Sequence, residues 1–533
     1  MSTRFGEFFK LVLLFVILSL LGSGLLSITW SKEPLTFAIG FFAGAEPRED
    51  SLLFREWQKR TGVEIKLIKM ESSGIGEKIN TMLASGDLPD IMTCNRDIAN
   101  NYGPQGAFIP INKYFDKAPN IKKYFDVKKN PWLYGPGGNI YILTQTGPYL
   151  EWCWVWNRKW ADKLGLSTPR TVEDWVKVWE KVKASDPSAI PVITRSTKPI
   201  ELLYRFFFPV WWGITSDSFI IEKGKLRDPW LTQDMKGLIS FLHEIYAKGL
   251  LYREFPTATW DSVTQAIAQG KVFSVLDYQS IAYQTMKIPA DIIESYEPLF
   301  PPKGPYGKSG CDWFGPTSYT GIAITSKCKD IDSALKFLDY LWSKEGPYFY
   351  YFGIKGDTYE IKKGGEIAYT QKVIDEANKA KKDVLSYLQS NYNIYLYYIN
   401  VSPLEPKLHV LSDIAQKKPK GYIKGKAIVA MNLAKPRPPI WLTMDEQKRV
   451  NSLNANISTY RDEWVFKFIL GTEPLTKWDE FITGLKKIGA EEAESINNAG
   501  YERYLKFVGK PKGYMPTIRY DLLGLDKLVG ISK

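Results

Sequence analysis

The stretch Ala84-Ser85-Gly86-Asp87-Leu88-Pro89-Asp90-Ile91-Met92, "ASGDLPDIM", decides the fold. Ahead of it, Ile75, Ile79, Met82 and Leu83 fall on one face of a helix. Gly86 supplies the left-handed residue that ends such a helix. Pro89 keeps the helix from resuming, so Asp90-Ile91-Met92 reads as a short buried strand. That strand runs into a polar tip, Cys94-Asn95-Arg96-Asp97. In an open α/β sheet, loops at the carboxyl ends of strands contact ligands, which makes Arg96 and Asp97 candidate binding residues.

Upstream, Leu35 to Ile39 reads as a first strand that opens into a Gly-containing loop carrying Glu46, a third candidate. Leu52, Leu53, Phe54 and Trp57 form a helical face ended by Gly62, and Val63, Ile65 and Leu67 alternate as a second strand. The order βαβαβ begins a twisted α/β lobe. Downstream, "WLYGPGGNIYILTQTG" (132–147) reads as a hairpin with a Gly-rich turn. No Gly-Lys-Ser/Thr follows that turn, which disfavours a phosphate loop. Trp152, Trp154 and Trp156 alternate and so share one face of a strand, either offered to a ligand or packed in a core. Thr171 and Asp174 form a capping box, as do Thr443 and Glu446. Residues 266–280 read as a helix, a glycine stop and a strand whose end carries Asp277 and Tyr278. Ile322-Ala323-Ile324 reads as another strand.

At 533 residues the chain exceeds one ordinary core, so two or more lobes are expected. Its 14% aromatic content supplies rings of the kind that grip sugar faces, although core packing must account for most of them. The net charge is +12, yet no dense Lys/Arg tract appears, so no nucleic-acid partner is expected. Acidic saccharides stay open as ligands. The four cysteines, Cys94, Cys153, Cys311 and Cys328, have no metal spacing, and a disulfide between any two cannot be read from the sequence. With only two histidines, neither a metal site nor a cofactor is expected. Ser185 to Pro191 holds a single carboxylate where a calcium loop needs several oxygen ligands.

Arg4 and Lys10 flank an apolar run, Leu11 to Leu21, that has the form of a secretory signal. The apolar character continues nearly to Trp30, about the length that spans a bilayer, so residues 1–33 read either as a cleaved signal or as an uncleaved anchor. Either reading places the bulk of the chain outside the cytoplasm, in the periplasm or at the cell surface.

"ASGDLPDIM", "GAFIPINKYF" (106–115), "VWNRKWADKLGL" (155–166) and "AIAQGKVFSVLDYQS" (266–280) resemble the family 1 extracellular solute-binding proteins of ABC importers. "FYYFGIKGDTYEI" (349–361) resembles the long, lipoprotein-type members that include alginate-oligosaccharide binders. The lipoprotein members carry an acylated Cys near the signal, and this chain has none there. The resemblance implies an α/β, two-lobed periplasmic-binding-protein-like fold with a hinge, a cleft between the lobes and helical C-terminal additions. It implies lobe 1 over 34–148 plus 303–345, lobe 2 over 149–302 plus 346–512, and a C-terminal tail at 513–533. It further implies a monomer that delivers an oligosaccharide or other small solute to permease subunits and performs no chemistry. On that basis Trp154, Trp211, Trp212 and Trp313 join Glu46, Arg96, Asp97 and Asp277 as expected ligand contacts. A non-sugar solute such as a peptide, a membrane-anchored sensor and a secreted carbohydrate-active enzyme are the competing readings.

Overall fold

The computed structural model of the chain describes residues 33–125, 131–144, 150–195, 201–284, 287–313, 320–363, 365–396, 398–399 and 405–509. The signal segment, the tail and the end of the 132–147 stretch lie outside the described residues. Among the described residues no helix is long and apolar enough to cross a membrane.

The opening motif folds as its residues dictate. The helix Ile75–Ser85 ends at Gly86 with φ 71°, and its face residue Ile79 is buried. Three strands, β1 (Leu35–Phe41), β2 (Ile65–Glu71) and β3 (Ile91–Asn95), lie parallel with β1 in the centre. Asp90 ties the lower end of this sheet together. Its carboxylate accepts from the Thr36 backbone at 2.8 Å and the Thr36 hydroxyl at 2.7 Å, while its own N–H donates to that hydroxyl at 2.8 Å. The segment at 132–147 forms a short strand, β4 (Leu143–Thr144), preceded by 3₁₀ turns rather than the expected hairpin. Its glycines close a tight turn in which Gly135 bridges Asn139, so strand ladders never form there.

The chain then enters a second sheet through β5 (Trp154–Asn157) and β6 (Ile190–Ile193). Between them lies the helix Val172–Ser185, opened by the expected Thr171–Asp174 capping box. A small hairpin, β7 (Ile220–Glu222) and β8 (Lys225–Arg227), precedes the helix Gln233–Ala247. β9 (Val272–Val275) and β10 (Tyr296–Leu299) complete the sheet in the order β10-β5-β9-β6. β11 (Thr320–Ile324) returns to the first sheet, antiparallel between β3 and β4, giving β2-β1-β3-β11-β4. The residue after it, Thr325, donates through its backbone to the Asp90 carbonyl at 3.0 Å and through its hydroxyl to the Pro89 carbonyl at 2.5 Å.

Each sheet is covered on both faces, as a two-lobed α/β fold requires. Phe37 and Ile39 face a core that contains Trp57 and Phe337, whose rings stack at 3.8 Å. Ala38, Met92 and Ala323 face Ile79 on the other side. In the second sheet Trp154 and Trp156 pack with Trp175, Trp179 and Phe207, and Val155 packs with Ile423 and Ile428.

The packing of the C-terminal third differs from the expected lobe boundary at 346. The helix Gly346–Phe352 and the residues Ile394, Ile399 and Leu408 sit in the core of the first sheet. An aromatic run, Phe349 to Phe352, drives this, since its rings fill space beside Tyr359 and Tyr369. The long helix Met444–Leu470, with its Thr443–Glu446 capping box, does pack on the second sheet through Leu453, Ile457 and Phe468. The last helix, Ala490–Val508, starts in that core at Ala490 and ends in the first at Tyr501 and Tyr504. All four cysteines are free and buried.

The Asp90 clasp predicts a measurable cost. Asp90→Ala should lower stability in denaturant unfolding by about 2–3 kcal/mol, the usual scale for losing hydrogen bonds to a carboxylate. Asp90→Asn, which keeps one acceptor oxygen, should lose less. Equal stability of wild type and Asp90→Ala would remove the clasp from the account.

Candidate functional site

Two neighbouring strands of the second sheet end in opposite charges. β6 and β9 are parallel with Ile193 beside Val275, so the residues two positions further on, Arg195 and Asp277, come side by side. Arg195 Nε lies 2.9 Å from Asp277 Oδ2, with the carboxylate fully buried and the guanidinium 13% exposed. The Tyr278 backbone N–H donates to the other carboxylate oxygen at 2.6 Å. Burial pushes the Asp277 carboxyl up to about 6, against the pull of Arg195.

Aromatic rings flank this pair. The Arg195 guanidinium sits 4.8 Å from the Trp260 ring centre and 5.4 Å from that of Tyr278. Tyr278 in turn lies 5.4 Å from Trp152, which carries the Arg205 guanidinium over its face at 4.4 Å. Arg205 belongs to the helix Glu201–Trp212 and pairs with Glu201 at 2.6 Å and with the buried Asp312 at 3.5 Å. The Ser216 backbone N–H reaches Asp312 at 3.2 Å. Burial pushes the Asp312 carboxyl up to about 7, opposed by Arg205. The result is a ribbon of rings and guanidinium groups, in the order Trp260, Arg195, Tyr278, Trp152 and Arg205. Trp260 and Tyr278 are half-buried, and Trp152 lies beneath as a buried floor. Aromatic rings with a few convergent polar groups are the usual lining of a small-molecule site.

The eight residues picked from the sequence are scattered by the fold. Asp277 lies in the ribbon. Trp212 is half-buried and packs edge-on to Phe208 at 4.8 Å. Trp154 and Trp211 offer no ring to a ligand, because both are buried in the second core, Trp154 against Trp175, Phe206 and Phe207. The alternation of Trp152, Trp154 and Trp156 is real, but β5 is an inner strand whose aromatic face is roofed by two helices. Trp313 is likewise buried, its indole N–H donating to the Ala434 carbonyl at 2.7 Å. In the first sheet, Asn95 caps the helix Arg96–Tyr102, placing Arg96 and Asp97 in its first turn. Arg96 reaches back to the Trp132 and Tyr134 carbonyls, so it braces that loop, and burial holds its charge below the usual range. Asp97 is exposed. Glu46 is exposed and paired with Lys69 at 2.9 Å.

Arg195, Arg205, Trp260 and Asp312 were missed. Arg195 had a readable signal, since it follows the buried run Ile190 to Thr194 as Asp277 follows β9. The others had none, because they come from two helices and a loop whose approach depends on packing. At the first sheet's carboxyl edge, Phe42 is 48% exposed and rests on Tyr398 at 5.3 Å. A separate cavity of about 740 Å³, lined by Tyr283, Glu294, Lys418 and Lys420 among others, shares no residue with the ribbon.

The two buried carboxyls imply a pH dependence. An unfolded Asp titrates near about 3.9, so between that pH and the raised values of about 6 and 7 the folded chain binds more protons than the unfolded one. Their contribution to stability is therefore full at low pH and lost as pH rises through about 6 to 7. Asp312→Asn should flatten that fall when denaturant stability is measured across the window. An unchanged slope would assign the titration to another group.

Comparison with known proteins bears on the family and the fold. Residues 45–346 match the family model of the bacterial extracellular solute-binding proteins. The chain is 24% identical over 507 residues to the fructooligosaccharide ABC transporter substrate-binding protein FusA of Streptococcus pneumoniae, covering 86% of this chain and 88% of the relative. An alginate-binding protein crystallised without calcium superposes with TM-score 0.66 at 24% identity, over 89% of this chain and 99% of that one. An HMO-binding, ABC-transporter-associated protein of Bifidobacterium longum infantis gives TM-score 0.68 at 18% identity, over 89% and 99%. With more than half its length matched, the chain belongs to the bacterial extracellular solute-binding proteins.

Proposed function

We propose that this chain is the substrate-binding component of an ABC importer, and that it takes an oligosaccharide into the cleft between its lobes for delivery to permease subunits. The observation that carries this is the ribbon of half-buried rings and paired charges at the carboxyl ends of β6 and β9. It has the ring faces and hydroxyl-reading groups a sugar needs, and the relatives named above include binders of fructooligosaccharide and alginate by description.

The exposed Phe42 and its neighbour Tyr398 are the first lobe's contribution in this reading, facing the ligand from the carboxyl edge of β1. The two lobes move about a hinge in this reading. Closure around ligand is then the signal to the permease. The protein works as a monomer outside the cytoplasm, exported by residues 1–33, which serve as a cleaved signal or as an anchor. It binds and does not cleave: Asp277 and Asp312 are buried and each tied to a guanidinium, which suits holding the arginines and rings in place.

A thermal-shift screen of the chain from Lys32 onward against oligosaccharides, followed by calorimetric titration, tests the proposal. A ligand at about 100 times its Kd should stabilise the fold by about 2.7 kcal/mol. Trp260→Ala and Tyr278→Ala should each weaken binding about two- to tenfold, from ring contacts worth about 0.5–1.5 kcal/mol. A response only to peptides, or a sugar affinity that neither variant changes, would sink the proposal.

A further inference from the structure

We infer that the ribbon selects uncharged oligosaccharides and rejects uronates, a conclusion that rests on the oligosaccharide reading above. The ribbon contains two guanidinium groups among the described residues, and each is already engaged by carboxylates of the protein itself. Arg195 presents Nε to Asp277 at 2.9 Å and its plane to Trp260. Arg205 presents one terminal nitrogen to Glu201 at 2.6 Å, the other to Asp312 at 3.5 Å, and its plane to Trp152. Anion recognition by arginine uses the edge of the fork, where two parallel N–H bonds meet a carboxylate. On Arg205 both terminal nitrogens of that edge already face carboxylates of the protein itself.

The balance of charge points the same way. Two cations face three carboxylates, Asp277, Asp312 and Glu201, and Asp217 adds a fourth close enough to act on both Arg205 and Asp312. The local field at the ribbon is therefore not positive, although the whole chain carries +12. An ionised carboxylate has about four acceptor sites, so Glu201, whose side chain is 34% exposed, retains capacity to accept from a sugar hydroxyl after its arginine contact is made. The carboxylate of a uronate offers no donor to it and brings a like charge into a partly desolvated wall.

The position of Glu201 makes the idea testable without disturbing the core, because its side chain is 34% exposed while Asp312 is fully buried. The experiment is calorimetric titration of the wild-type chain with neutral oligosaccharides and with oligouronates of equal length. The neutral ligand should bind at least about 100-fold tighter than the matched uronate. Glu201→Gln removes one negative charge beside Arg205 and should narrow that ratio by about threefold or more, with the gain fading as salt is added. A uronate as the tightest ligand would overturn the inference while leaving the oligosaccharide reading intact. An unchanged ratio in Glu201→Gln would also overturn it. Binding of neither sugar class, with a peptide or other solute bound instead, would defeat both.

Discussion

The first sheet depends on a single carboxylate at its lower edge. Asp90 follows Pro89, which keeps the preceding helix from resuming, and so meets Thr36 immediately ahead of β3. The exchange of three hydrogen bonds between these residues sets β1 against β3 in register. The Asp90 and Pro89 carbonyls then receive Thr325, which pins the end of β11. A strand from more than two hundred residues away thus finds its place through the same short motif that ends the helix before it. Because β11 lies between β3 and β4, the chain must leave the first sheet, build the second and come back. The two-lobed architecture with several crossings follows from that insertion.

The second sheet uses strand ends differently. In the first, Arg96 is turned inward to brace the Trp132–Tyr134 loop, leaving Phe42 as the exposed ring at that edge. In the second, the parallel pair β6 and β9 delivers a cation and an anion to adjacent positions, and each is then stacked or buried among rings. Burying Asp277 alone would be costly, and the same holds for Asp312. Each is compensated by an arginine that an indole face also supports, so the charges and the rings hold each other in place.

Charges are buried again beside the loop that follows Tyr278. Glu151 accepts from the Tyr422 hydroxyl at 2.7 Å and from the Ser280 backbone at 3.2 Å, which joins it to that loop. Lys426 lies 3.9 Å from Glu151 and 2.6 Å from Asp413. Burial works against the Lys426 charge, but Asp413 and Glu151 outweigh it and hold the ammonium above its ordinary range. Such a network is directional, whereas apolar packing is not, and it fixes how Glu151 and the helix Lys420–Met431 meet the loop after Tyr278.

The sequence by itself determined the features whose physics is local. Gly86 ended its helix, Asp174 and Glu446 closed their capping boxes, and β1, β2, β3, β9 and β11 lay close to where alternation and glycine stops put them. Each of these needs only residues within a few positions of one another. The tertiary structure decided which rings are available and which charges meet. Trp154 in β5 and Trp152 just ahead of it stand two residues apart, yet one is roofed by helices and the other floors the ribbon, a difference set by elements that arrive from elsewhere. Arg195 and Asp277 meet because two strands about eighty residues apart align in register, and the aromatic run at Phe349 settles on the first sheet because that is where its volume fits. Long-range register and packing volume carry no signature in a local pattern, and the candidate site is built from both.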